Sequence, residues 1–212
     1  MALNVETRKS ERERIARAVL DLVKERGTEI SYATAMAESG LSRSRFEQLF
    51  ADYDDLFDMI AQVWFDQSMR AMEEVRAADL PPPRKMYEFF RSRFVISRER
   101  YREDPEFFTM VCEMGAANFE RVRSYVDLAD HYLCEIIVAA QADGYFASLS
   151  IDETLSLINQ MVSTYTLPDS FIYLGDKLTE AKLARIIDTI FTGLSGESGE
   201  NVQGINTIRI AS

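Results

Sequence analysis

Histidine is nearly absent from this chain: His131 stands alone among 212 residues. A single imidazole excludes most histidine-based metal sites. Cysteine is almost as scarce. Cys112 and Cys134 fall in helical contexts without metal-type spacing and read as reduced core thiols, the usage of a cytoplasmic protein. No apolar run reaches the ~18 residues of a membrane span, and no signal peptide is seen, so neither membrane insertion nor secretion is expected. GxSxG, HExxH and phosphate-loop motifs are missing, as is a Cys/His pair. Scattered carboxylates such as Glu113 and Asp130 read as surface charge. The chain is expected not to be an enzyme and to need neither cofactor nor metal.

What is present is helix. Hydrophobic residues make up 47% of the chain, enough for a proper core, and helical periodicity runs through most of it. The expected fold class is all-α. Ile15–Leu56 is the most informative stretch. Ser10 and Glu13 have the spacing of a capping box, and Ile15, Ala18, Val19, Leu22 and Val23 form the apolar stripe of a first helix closed by Gly27. Ser31 caps a second helix from Tyr32 to about Ser39, with Met36 and Ala37 inside and Gly40 as its stop. Leu41 fills the turn and Ser42 caps a third helix. Two short helices joined by a Gly-containing turn make the helix-turn-helix signature.

On that third helix Phe46, Leu49 and Phe50 cluster on one side. Ser44 and Gln48 lie opposite, flanked by Arg45 and Glu47, with Arg43 at the start. The early residues of such a helix reach base edges while their neighbours hold phosphates. Arginine suits guanine O6/N7, and glutamate can accept from cytosine N4.

These residues resemble the DNA-binding domain of the tetracycline-repressor (TetR) family. The resemblance rests on Ile15, Ala18, Gly27, Ser31, Met36-Ala37, Gly40-Leu41-Ser42, Phe46-Glu47-Gln48-Leu49-Phe50 and Tyr53-Asp54-Asp55-Leu56. It implies a helix-turn-helix head over residues 1–53 and a helical ligand-binding and dimerisation domain over 54–194, while the Gly-, Ser- and Asn-rich stretch over 195–212 reads as a flexible tail. By position, Arg43, Ser44 and Glu47 would face bases. Ser31, Arg45, Gln48 and Tyr53 would face phosphates, with Tyr32 and Ser42 completing the DNA-binding set. Three positions depart from the family pattern: its Tyr is Glu47, its His is Leu49 and its phosphate-binding Lys is Tyr53. Losing a Lys and gaining a Glu weakens backbone electrostatics, so Glu47 signals either unusual specificity or reduced DNA binding.

Charge is divided along the chain. Residues 1–50 hold nine Lys/Arg and eight Asp/Glu, a net +1, so the overall −11 leaves −12 on the remainder. That fits a small reading head on an acidic body repelled by DNA. Arg8, Lys9, Arg12 and Arg14 read as a basic N-terminal arm or as a solvated helix start, diluted by Glu6, Glu11 and Glu13.

The rest reads as long helices: Asp54 to about Ala78, Arg84–Arg100 after Pro81-Pro82-Pro83, a shorter one opened by Asp104-Pro105, Phe119–Ala142, Asp152–Leu174 interrupted near Pro168, and Thr179–Phe191. Ile205–Ile210 could pair as a short strand. Leu155, Leu157, Ile158, Met161 and Val162 spread around one late helix, and Leu183, Ile186, Ile187, Ile190 and Phe191 around the last. Helices apolar on more than one face need more than one partner, and the resemblance implies a homodimer through these two. An aromatic and Met excess at Tyr87, Phe90, Phe94, Phe107, Phe108, Met110, Met114, Tyr125, Tyr132, Met161 and Tyr165 suits core packing or an adaptable apolar pocket. With the family in view, a pocket is expected, for an apolar or aromatic effector whose polar end meets His131, Asn118 or Arg121. The functional expectation is a ligand-responsive regulator, a repressor, binding a palindromic double-stranded DNA operator as a homodimer. The alternative is a degenerate relative that binds a ligand or protein with weak or no DNA binding.

Overall fold

Serine, threonine and aspartate side chains cap six of the ten α-helices among the described residues. In the computed structural model, which describes residues 5–195, the head consists of α1 (Val5–Arg26), α2 (Tyr32–Glu38) and α3 (Arg43–Leu49). Ser31 Oγ accepts from the Thr34 N–H at 3.2 Å and Ser42 Oγ from the Arg45 N–H at 3.3 Å, so both expected caps form. Gly27 and Gly40 follow α1 and α2 with φ of +62° and +69°. Glycine adopts that left-handed conformation without a Cβ penalty, so these two positions stop the helices sharply.

The body continues with α4 (Tyr53–Ala77), α5 (Pro82–Glu103), α6 (Pro105–Ala117), α7 (Phe119–Ala142), α8 (Ile151–Thr166), α9 (Asp169–Leu174), a 3₁₀ turn at Gly175–Lys177, and α10 (Glu180–Leu194). The described residues contain no strand. Asp52 caps α4 through the Asp55 N–H at 2.8 Å, and Asp104 caps α6 through the Phe107 N–H at 3.0 Å. The expected tail beyond residue 195, with its strand at Ile205–Ile210, lies outside the described residues.

Four details differ from the sequence reading. The first helix begins at Val5, so Ser10 and Glu13 sit inside it and make no capping box. Its extra turns are held by tertiary contacts that local patterning cannot show: Arg8 donates to the Gln48 carbonyl at 2.8 Å, and Glu11 pairs with Arg45. A complete capping box forms instead at Ser150 and Glu153, opening α8. In α2 the buried residue is Ala35, while Met36 is half-buried and Ala37 is exposed. Finally, α10 is one-sided. Leu183, Ile187, Ile190 and Phe191 are buried, whereas Arg185, Asp188, Thr189 and Thr192 are exposed.

Two apolar clusters organise the molecule. The head cluster holds Ile15, Val19, Val23, Phe46, Leu49 and Phe50, and extends into Leu56, Phe57 and Ile60 of α4, Val111 of α6 and Val122 of α7. The body cluster centres on Phe89, Phe90 and Phe94 of α5, with Leu133 and Ile137 of α7, Ile158 and Val162 of α8, and the buried face of α10. Trp64 of α4 packs against both clusters. Because α4 packs against α1, α5 and α7, it is the beam through which the head is seated on the body. At the far side, Glu180 of α10 accepts from Arg91 at 2.6 Å and Arg98 at 3.0 Å, clasping α10 to α5.

Candidate nucleic-acid interface and effector site

The buried side of α3 fixes the direction of its other side. Phe46, Leu49 and Phe50 are at most 1% exposed. The Tyr32 ring meets Phe46 edge-on with centroids 5.3 Å apart, and the Tyr32 hydroxyl donates to the Phe50 carbonyl at 2.7 Å. That pair of contacts sets α2 against α3, so Tyr32 acts within the head as well as bordering its surface. Arg43, Ser44, Glu47 and Gln48 are then left exposed on α3. Arg43 Nε donates to Glu47 Oε1 at 2.7 Å.

The positions assigned to phosphates are more occupied. Ser31 and Ser42 spend an oxygen lone pair each on their caps. Arg45 is half-buried and pairs with Glu11 of α1. The Tyr53 hydroxyl donates to Glu29, and burial followed by that bond holds its phenol protonated well above the usual tyrosine range. Gln48 remains exposed. The four basic residues of the expected arm are helical, on α1. Arg12 turns inward onto Asp55 with its guanidinium 5.0 Å from the Phe50 ring centre, Lys9 pairs with Glu13 at 4.0 Å, and Arg14 faces solvent.

The aromatic and Met set of the body does not gather in one place. Phe90, Phe94, Phe108, Tyr132 and Tyr165 are core residues. Phe94 and Tyr165 pack edge-on at 5.0 Å, and the hydroxyls of Tyr165 and Tyr132 donate to the Thr179 carbonyl at 3.2 Å and to Glu73 at 3.1 Å. Tyr87 is half-buried beneath Arg84, 5.3 Å from its guanidinium. Phe107 and Tyr125 pack on the head side of α4, Phe107 against Trp64 at 5.9 Å and Tyr125 stacked on Phe65 at 4.6 Å. His131 and Met161 are exposed, His131 beside Glu135 at 3.3 Å. The expected polar partners are also engaged elsewhere: Asn118 donates to the Met114 carbonyl at 2.9 Å, and Arg121 bridges α7 to Asp58 of α4 at 2.9 Å.

Met110 and Met114 line an open cleft of about 800 Å³ between α6 and the α1–α2 loop, with Gly27, Thr28, Glu29, Tyr101, Pro105, Glu106, Thr109, Glu113, Ala117 and Ile172. Its walls carry three carboxylates and no Lys or Arg. The sequence reading missed this cleft because its two sides are remote in the chain and the loop residues carry no motif. The pairing of Arg45 with Glu11 was hidden for the same reason.

The C-terminal domain model described as tetracyclin repressor-like matches residues 82–187. This chain belongs to the TetR-like family. Members of the family are transcriptional regulators that bind DNA and dimerise. The match covers α5 through the first half of α10, within the body rather than the head on which the sequence resemblance rests. Two crystal structures of HlyIIR mutant proteins align with this TetR-like chain. One, with a segment substituted by a linker containing two thrombin sites, gives a TM-score of 0.49 at 18% identity over 87% of this chain and 98% of that one. The other, with a segment substituted by alanine, gives 0.39 at 16% identity over 93% and 100%. Among curated proteins none matches. No helix among the described residues is long and apolar enough to cross a membrane, and no group of His, Cys, Asp and Glu among them could hold a metal ion.

Proposed function

We propose that this TetR-like chain is a ligand-responsive regulator, a repressor, that binds a palindromic operator as a homodimer and releases it when a small apolar or aromatic effector binds. The observation that carries this reading is α3. Its apolar side is locked into the head core, and four polar side chains with base- and phosphate-reading chemistry are exposed on the other. A twofold pair of such heads would present recognition helices about 34–36 Å apart, one turn of DNA. Exposed Leu157 and Met161 of α8 offer an apolar strip for the twin subunit. Effector binding in the body would tilt α4, the beam shared by both cores, and so change head spacing. Only an effector with unequal affinity for the two head spacings can do this.

The test is selection of random duplexes by the purified chain, then salt titration on the winner. Enrichment of a two-fold-symmetric site with steep salt dependence is the expected result. A folded dimer that enriches nothing at low salt would sink the reading.

A second reading has its own observation: Arg45 and Tyr53, both expected to hold phosphates, are engaged by Glu11 and Glu29 within the head. On that reading the chain binds a ligand or protein partner and DNA weakly if at all. The double variant Glu47→Tyr, Tyr53→Lys would then bind duplex DNA that the parent ignores.

A further inference from the structure

We propose that Arg43 and Glu47 form a single base-reading unit, in which Arg43 takes a guanine and Glu47 is the positioning residue that aims it. The inference rests on the operator-binding reading above. Its basis is which nitrogen is engaged. Arg43 meets Glu47 Oε1 through Nε at 2.7 Å, from the side of the guanidinium. Neither terminal nitrogen of Arg43 has a hydrogen bond or ion pair among the described residues. The end-on fork left open by this geometry presents two parallel donors that match guanine O6 and N7.

The pair also sits where a reader must. The two residues lie one helical turn apart on the exposed side of α3, with the Arg43 side chain 79% and the Glu47 side chain 46% exposed. A long arginine loses rotamer freedom when a base orders it, and the Glu47 contact removes part of that loss before DNA arrives. Pairing in water contributes little to the fold. The same contact strengthens when docking excludes water. Arg45 differs in kind. It is half-buried against Glu11, across to another helix, and belongs to the structure of the head.

A carboxylate beside the DNA backbone opposes phosphate binding. The unit therefore predicts effects of opposite sign. Removing Glu47 should weaken discrimination at the guanine while tightening binding to mismatched duplex. A residue that merely stabilised α3 would move both the same way.

The experiment uses the full chain on the selected duplex and on copies substituted at each base pair, with folding of every variant checked by circular dichroism. Arg43→Ala is expected to lose about ten- to a hundredfold in discrimination at one G·C pair per half-site. Glu47→Ala is expected to relax the same pair by about three- to tenfold, and to bind mismatched duplex more tightly at low salt. Glu47→Asp, too short to reach Nε, should discriminate as poorly as the alanine variant while keeping the charge. Glu47→Gln, with an acceptor oxygen and no charge, should retain part of the preference.

Relaxation at a different base pair would show Glu47 reading a base directly and would overturn the proposal. So would an unchanged preference in Glu47→Ala. Both results leave operator binding intact. Failure of the unmodified chain to select any duplex overturns operator binding and this inference together.

Discussion

Head and body are both helical, both packed around phenylalanines and both cross-linked by arginine–carboxylate pairs, yet they place their candidate functional side chains differently. In the head, Arg45 pairs with Glu11 and Arg26 with Glu38 between helices, while Arg12 ties α1 to Asp55 at the start of α4. What is left over on α3 faces outward, so the candidate reading surface is a set of side chains on one short helix. In the body, five of the expected pocket residues turn into the core, where Tyr132 and Tyr165 find partners within their own chain. A surface site is defined by which way a helix faces. A pocket is defined by how far apart long helices settle, and packing can close it.

The largest effects should separate the two cores. Phe94→Ala and Phe46→Ala each delete a fully buried ring, at a cost of about 3–5 kcal/mol. Denaturant unfolding should show both losses. Hydrogen exchange should show faster amides throughout α5, α8 and α10 for Phe94→Ala, but chiefly in α1–α3 for Phe46→Ala. Equal loss of protection in α8 and α10 for the head variant would break the comparison, by showing one cooperative unit joined through α4.

Next in size is the turn between α2 and α3. Gly40 is at φ +69°, and no atom lies within 4 Å of the place a Cβ would take, so Gly40→Ala meets no neighbour. Its cost is the left-handed backbone alone, about 1–2 kcal/mol, read as a lower melting temperature with α3 protection reduced first.

Smaller still is the clasp on α10. Hydrogen bonds from Arg91 and then Arg98 hold the Glu180 carboxyl below its ordinary value of 4.5. The contribution of the clasp is whole above that unfolded value and lost as pH falls through the lower folded one. The carboxylate is one-third exposed, so screening limits it to about 1 kcal/mol. Glu180→Gln should lower the melting temperature at pH 7 by about 2–4 °C, with the gap closing in acid. Smallest of all, Glu47→Ala should leave the melting temperature unchanged, since the exposed Arg43–Glu47 pair does little for the fold.

The legible parts share a property. Ser31 and Ser42 as caps, Asp104-Pro105 as the opening of a helix, Gly27 and Gly40 as stops, and Phe119–Ala142 as a helix were all readable, because each depends on residues within a turn or two. The start of α1 was not. Ser10 and Glu13 have the right spacing for a cap, but contacts to α3 carry the helix past them to Val5. The apolar stripe of α10 suggested two buried faces, and the structure buries one.

The candidate sites divide the same way. Periodicity alone put Phe46, Leu49 and Phe50 inside and Arg43, Ser44, Arg45, Glu47 and Gln48 outside, and of these only Arg45 departs, being half-buried. No local pattern could tell that Arg45 and Tyr53 would be drawn to Glu11 and Glu29, partners 34 and 24 residues away in the chain. Nor could composition say that Phe94 and Tyr165 would close on each other while Met110 and Met114 would border an open cleft. Helix identity and the facing of α3 were determined by the sequence itself, through short-range hydrogen bonding and the burial of one apolar side. Which charges are spent on each other, and where space remains between helices, was decided only by tertiary packing, because both depend on distances between residues far apart in the chain.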